Sequence, residues 1–167
     1  MIFAIILVLL SCYLEGILST YIPLETYLFT PLFTWISCLL CHSFFFNQKN
    51  YLWFCFGVAI FYDIVYTDTL LFHAILFVFT CYLFQKITAC LSNNKFSFIF
   101  SLIISIFFYR MISYFILISI GYFQWDLHFF FQKLNSSFFL NILYGILLSV
   151  LFHHFKKKKY HFLKTAF

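Results

Sequence analysis

The chain has 167 residues, 65% of them hydrophobic and only 9% charged, with a formal net charge of +5. A soluble domain carries about 25% charged residues, so too little polar surface remains to coat a soluble globule, and the mean hydropathy of +1.00 agrees. Apart from Arg110, the cations stand between or after apolar runs, which leaves no basic face for nucleic acid.

A membrane-crossing helix needs about 20 apolar residues. Continuous apolar runs predict six spans, at 2–20, 28–46, 51–66, 70–88, 96–120 and 136–155. The runs do not alternate with period two, which favours helices over a β-barrel. The expected fold class is therefore all-α: a polytopic membrane protein built as a compact bundle of six transmembrane helices. Span one lacks a basic start and contains Glu15, so it does not read as a signal peptide. Spans three and four are joined by Thr67-Asp68-Thr69 in a tight hairpin, and span five is long enough to tilt. The segment 121–133 suits the membrane interface through Tyr122, Trp125 and its Phe cluster, as an aromatic belt or as a short flat helix.

Lysines orient the spans. Lys49, Lys86, Lys95, Lys164 and the run Lys156, Lys157, Lys158, Lys159 fall on one side, which is assigned to the cytoplasm. Glu25, Asp68 and Asp126 lie opposite, with Lys133. Both termini are then cytoplasmic. Residues 1–155 make the transmembrane domain and 156–167 a basic tail. The four-lysine run stops translocation and attracts anionic lipid at about 1 kcal/mol per charge.

Five polar side chains interrupt the apolar runs: Glu15, Asp63, His73, Arg110 and Asn141. A charge in bilayer hydrocarbon costs several kcal/mol even on the gentler scales, so such residues face one another or a polar cavity. At 1.5 Å per residue, Glu15, Asp63 and Arg110 stand about 20, 18 and 21 Å above the cytoplasmic edge. His73 and Asn141 lie about one and two turns below the outer edge. All five therefore share one layer in the outer half of the core. There Arg110 can hold a carboxylate bidentately and still donate to Asn141 or a backbone carbonyl. Such a network either locks the helices or lines a transport or proton path; locking is the preferred reading.

Small residues recur every four positions as Asn141-Gly145-Ser149, Ser97-Ser101-Ser105 and Cys55-Ala59-Asp63. They predict close helix approach, and Gly57, Ala59, Ala74, Gly145 and Ser149 are assigned to helix packing. The six cysteines mostly lie within spans, where Cys acts as a small apolar residue. Cys38-x-x-Cys41-His42 has no second ligand cluster, so neither a metal nor another cofactor is expected. No HExxH, GxSxG or P-loop is present, and no enzymatic activity is expected.

The stretch Gly57-Val-Ala-Ile-Phe-Tyr-Asp63-Ile-Val-Tyr-Thr-Asp-Thr-Leu-Leu-Phe-His73-Ala74 carries a resemblance. It is similar to the MreD family of bacterial rod-shape-determining membrane proteins, which place an Asp six residues after a mid-span Gly, then a turn, then Asn/His-Ala. Leu140-Asn141-Ile-Leu-Tyr-Gly145 is similar to the family's Asn-led final span. Length, span layout and basic tail extend the likeness over the whole chain. The chain departs from the family at Thr67 and Leu71, where Gly is frequent, and at Asn135-Ser136-Ser137, which replaces a Pro. The resemblance implies a fold similar to the substrate-binding subunits of energy-coupling-factor transporters. It implies a non-enzymatic scaffold of the cell-elongation machinery in the bacterial inner membrane, helping to position lateral peptidoglycan synthesis. The implied partners are MreC and, indirectly, MreB and the RodA–transpeptidase synthase pair, with anionic lipid and a second copy also open. A vitamin-binding transporter subunit is the alternative.

Overall fold

Six α-helices follow one another along the described residues: α1 (Ile2–Tyr21), α2 (Phe33–Cys41), α3 (Gln48–Tyr62), α4 (Phe72–Cys90), α5 (Lys95–Ser119) and α6 (Leu127–Thr165). The computed structural model describes residues 2–21, 31–45, 47–67, 71–91, 95–122 and 124–165, with side chains through residue 151 apart from 67, 95, 96, 133, 136 and 137. Lys156, Lys157, Lys158 and Lys159 belong to the last turns of α6, and their side chains lie outside the described set.

Among the described residues, three helices are long and apolar enough to cross a bilayer, at Ile2–Tyr21, Phe72–Cys90 and Ser97–Ser119, so a count of six full-length spans gains no support there. The expected span 28–46 contracts to the nine-residue α2, about 14 Å long at helical rise, with a 3-10 turn at His42–Phe44. Pro31 and Leu32 stand just ahead of it in non-helical backbone. Beyond the 3-10 turn, Asn47 restarts the chain as an N-cap, its side chain accepting from the Lys49 N–H at 3.0 Å.

α6 is longer than the predicted 136–155. It opens at Leu127 because the Asp126 carboxylate accepts from the His128 N–H at 2.9 Å and caps the first turn. Residues 127–133 are thus its opening turns and not a separate flat helix. The apolar part is Phe138–Leu151. α5 ends where Gly121 takes φ +79°. The Tyr122 N–H reaches Leu117 O and the Gly121 N–H reaches Ile118 O, a Schellman closure that satisfies two orphan carbonyls.

α2 packs on α1, α4 and α6, and all nine of its residues are buried. A helix that is apolar all round belongs in the interior. α3 and α4 form a hairpin, and α4, α5 and α6 pack in sequence. The Trp35 indole N–H donates to Thr80 Oγ1 at 2.8 Å, tying α2 to α4. The Tyr51 hydroxyl donates to Cys38 O at 3.1 Å, tying α3 to α2.

The small residues divide in role. Ala59 and Ala74 are fully buried. At Gly145 an added Cβ would stand 2.6 Å from Leu102 Cδ2, so α5 and α6 meet closely there. Ser101 and Ser105 are buried, each satisfied by the carbonyl four residues back. Ser149 is half-exposed and donates to Ile146 O of its own helix. Gly57, assigned to packing, faces open space instead, because a Cβ there meets nothing within 4 Å.

Candidate functional site

A helix that starts in the interior exposes backbone N–H groups without intrahelical partners. In hydrocarbon no water can satisfy them, and the positive end of the helix dipole favours a carboxylate nearby. α2 and α4 both begin this way, and the polar residues of the sequence gather at their two N-termini.

At α2 the donors are the N–H groups of Leu32 and Thr34. Glu15, on α1 and 3% exposed, accepts from the Thr34 N–H at 2.9 Å and from the Thr34 hydroxyl at 2.7 Å, both through Oε2. Its Oε1 accepts from the Tyr62 hydroxyl of α3 at 2.8 Å. Asn141, on α6 and fully buried, accepts from the Leu32 N–H through Oδ1 at 2.8 Å. Three helices, α1, α3 and α6, therefore converge on the first turn of a fourth, the shortest.

At α4 the cap comes from the same hairpin. The chain leaves α3 through a π-helical turn, Asp63–Thr67, a form that recurs at functional sites. The Asp63 carboxylate, 1% exposed, accepts from the His73 N–H at 3.1 and 3.2 Å and from the Ala74 N–H at 3.3 Å. His73 Nδ1 lies 2.7 Å from Asp63 Oδ1, within hydrogen-bond distance. Leu71, just before the helix, has φ +69° and makes no side-chain cap. Asp63 takes over that role from ten residues upstream.

The two caps touch through aromatic rings. Tyr62 packs on His73 with centroids 5.0 Å apart and on Tyr66 at 5.0 Å. The Tyr66 hydroxyl donates to Cys12 O at 2.6 Å, a reach that requires Gly16, where a Cβ would stand 2.6 Å from that hydroxyl. Arg110 lies against the Tyr109 ring, 5.9 Å from its centroid. Of the polar five, Glu15 and Asn141 meet at α2, Asp63 and His73 meet at α4, and Arg110 stands by Tyr109 on α5. Among the described residues, no cluster of three His, Cys, Asp or Glu side chains is arranged to hold a metal ion.

Thr34, Tyr62 and Tyr66 were not singled out from the sequence. Tyr62 had a signal in its place beside Asp63. Thr34 had one in its position three residues after Pro31, in the first turn of a helix.

Comparison with known proteins gives one family. Its description is rod shape-determining protein MreD, and its profile matches residues 1–159. No curated protein and no solved structure matches the chain. The expected likeness to energy-coupling-factor subunits thus gains no support from a solved fold. The matched span contains both capped helix starts and the hairpin between Gly57 and Ala74. The chain belongs to the MreD family of rod shape-determining proteins, apolar helical proteins suited to a membrane and acting in cell shape.

Proposed function

We propose that this chain is a non-enzymatic scaffold of the cell-elongation machinery that binds MreC and helps position lateral peptidoglycan synthesis. MreB and the RodA–transpeptidase synthase pair are reached through that contact. In this reading all six helices lie within the bacterial inner membrane. Both termini face the cytoplasm, where the basic tail, Lys156 to Lys159, meets anionic lipid.

The observation that carries the reading is the use of the polar layer. Glu15, Asp63 and Asn141 each hold the enclosed first turn of a helix. Their chemistry is that of a frame fixing helix geometry, which is what a docking platform needs. The transporter alternative asks the same groups to line a substrate pocket, but their oxygens are engaged with backbone and hydroxyl donors.

The test is co-purification of MreC from detergent with the wild-type chain and with Asp63→Ala, alongside the shape of cells carrying each. The expected result is that wild type retains MreC and that Asp63→Ala cells lose rod shape. Absence of MreC from the wild-type preparation overturns the scaffold. Stabilisation by a vitamin in a thermal-shift panel establishes the alternative.

A further inference from the structure

α3 carries two opposed stripes at four-residue spacing. Tyr51, Cys55, Ala59 and Asp63 are buried; Lys49, Trp53, Gly57 and Phe61 are exposed. Residues four apart are neighbours on a helix surface. Three members of the exposed stripe, Trp53, Gly57 and Phe61, form one wall of a groove of about 280 Å³. Its other wall is Ile5, Val8, Leu9 and Cys12 of α1. Thr34, whose hydroxyl is engaged by Glu15, closes the deep end. The floor at Gly57 is bare, with nothing within 4 Å of an added Cβ.

We propose that this groove holds one acyl chain of an anionic phospholipid, whose headgroup pairs with Lys49. Size argues for a single chain. Two turns of a helix about 10 Å across fill roughly 800 Å³, far more than the groove provides. Chemistry agrees along its length: the lining is apolar from Phe61 to Trp53, and one turn further the same stripe ends in a cation. Trp53, 71% exposed, stands between them, where an indole suits the boundary of headgroup and hydrocarbon. A zwitterionic lipid fills the groove equally well but gains nothing from the lysine. The site is separate from the basic tail and holds whichever face of the membrane Lys49 meets. Its failure would therefore leave the scaffold reading standing.

The experiment adds phosphatidylglycerol or phosphatidylcholine of identical chains to the delipidated full-length protein. Retained lipid is counted by native mass spectrometry. Wild type should prefer phosphatidylglycerol, and Lys49→Gln should lower that preference about fivefold, the factor one lysine near an anionic surface supplies, leaving only what the tail lysines contribute. Gly57→Leu, which fills the floor, should remove the tightly held lipid while leaving the tail charges untouched. A second arm avoids any change to the groove floor. Phosphatidylglycerol brominated along its chains should quench the emission that Trp53→Phe removes. Equal retention of both lipids by wild type, full retention by Gly57→Leu, or no Trp53-dependent quenching would each overturn the proposal. Co-purification of a second copy or a partner helix that Gly57→Leu abolishes, without lipid retention, would also overturn it.

Discussion

The two interior helix starts, α2 and α4, meet the same physical demand with different geometry. Each must satisfy first-turn N–H groups where water is absent. α4 is capped locally: Asp63 reaches His73 and Ala74 across ten and eleven residues, within one hairpin. α2 is capped from afar, by Glu15 nineteen residues before Thr34 and by Asn141 one hundred and nine residues after Leu32. A local cap makes a hairpin. A distant one makes the bundle's tertiary structure a condition for one helix to exist.

That contrast can be broken by removing each cap in turn. Glu15→Ala should have the largest effect, because it orphans the Thr34 N–H, the Thr34 hydroxyl and the Tyr62 hydroxyl together. The expected loss is about 4 kcal/mol, from a lost cap and unsatisfied buried donors. It should appear as a lower thermal midpoint in detergent and as fast hydrogen exchange at α2. Exchange at α2 no faster than wild type would show that Glu15 does not hold the helix.

Asp63→Ala should cost about 3 kcal/mol by the same reasoning. Its exchange signature should be confined to the first turn of α4, while α2 stays protected. Equal deprotection of both helices would erase the distinction between local and distant caps. Leu71→Gly sharpens the comparison with a smaller effect of opposite sign. A left-handed backbone costs a non-glycine residue about 1–2 kcal/mol, and glycine returns part of that as unfolded-chain entropy. A net gain of about 0.5–1 kcal/mol should raise the thermal midpoint slightly. A lowered midpoint would mean that Leu71 contributes contacts outweighing its backbone strain.

The same contrast explains what the sequence revealed. Asp63, His73 and Ala74 sit in one short stretch, so their nearness was readable, whereas the left-handed backbone at Leu71, φ +69°, was not. The shared height of Glu15 and Asn141 could be counted from helical rise. Their common target could not, because neither residue says which backbone N–H it will meet. Hydropathy marked 28–46 as apolar throughout, and apolarity does not distinguish a crossing helix from a short enclosed one. The early start of α6 was present in Asp126, but the aromatic residues around it read as an interfacial belt. Gly57 shows the reverse error: a glycine within a span can face an empty groove as readily as a tight contact.

Asn141 also sets an order of events during synthesis. The peptide group at Leu32 waits for a partner that leaves the ribosome more than a hundred residues later. A chain cut short before position 141 lacks that acceptor, so the first turn of its second helix loses one of its two distant supports.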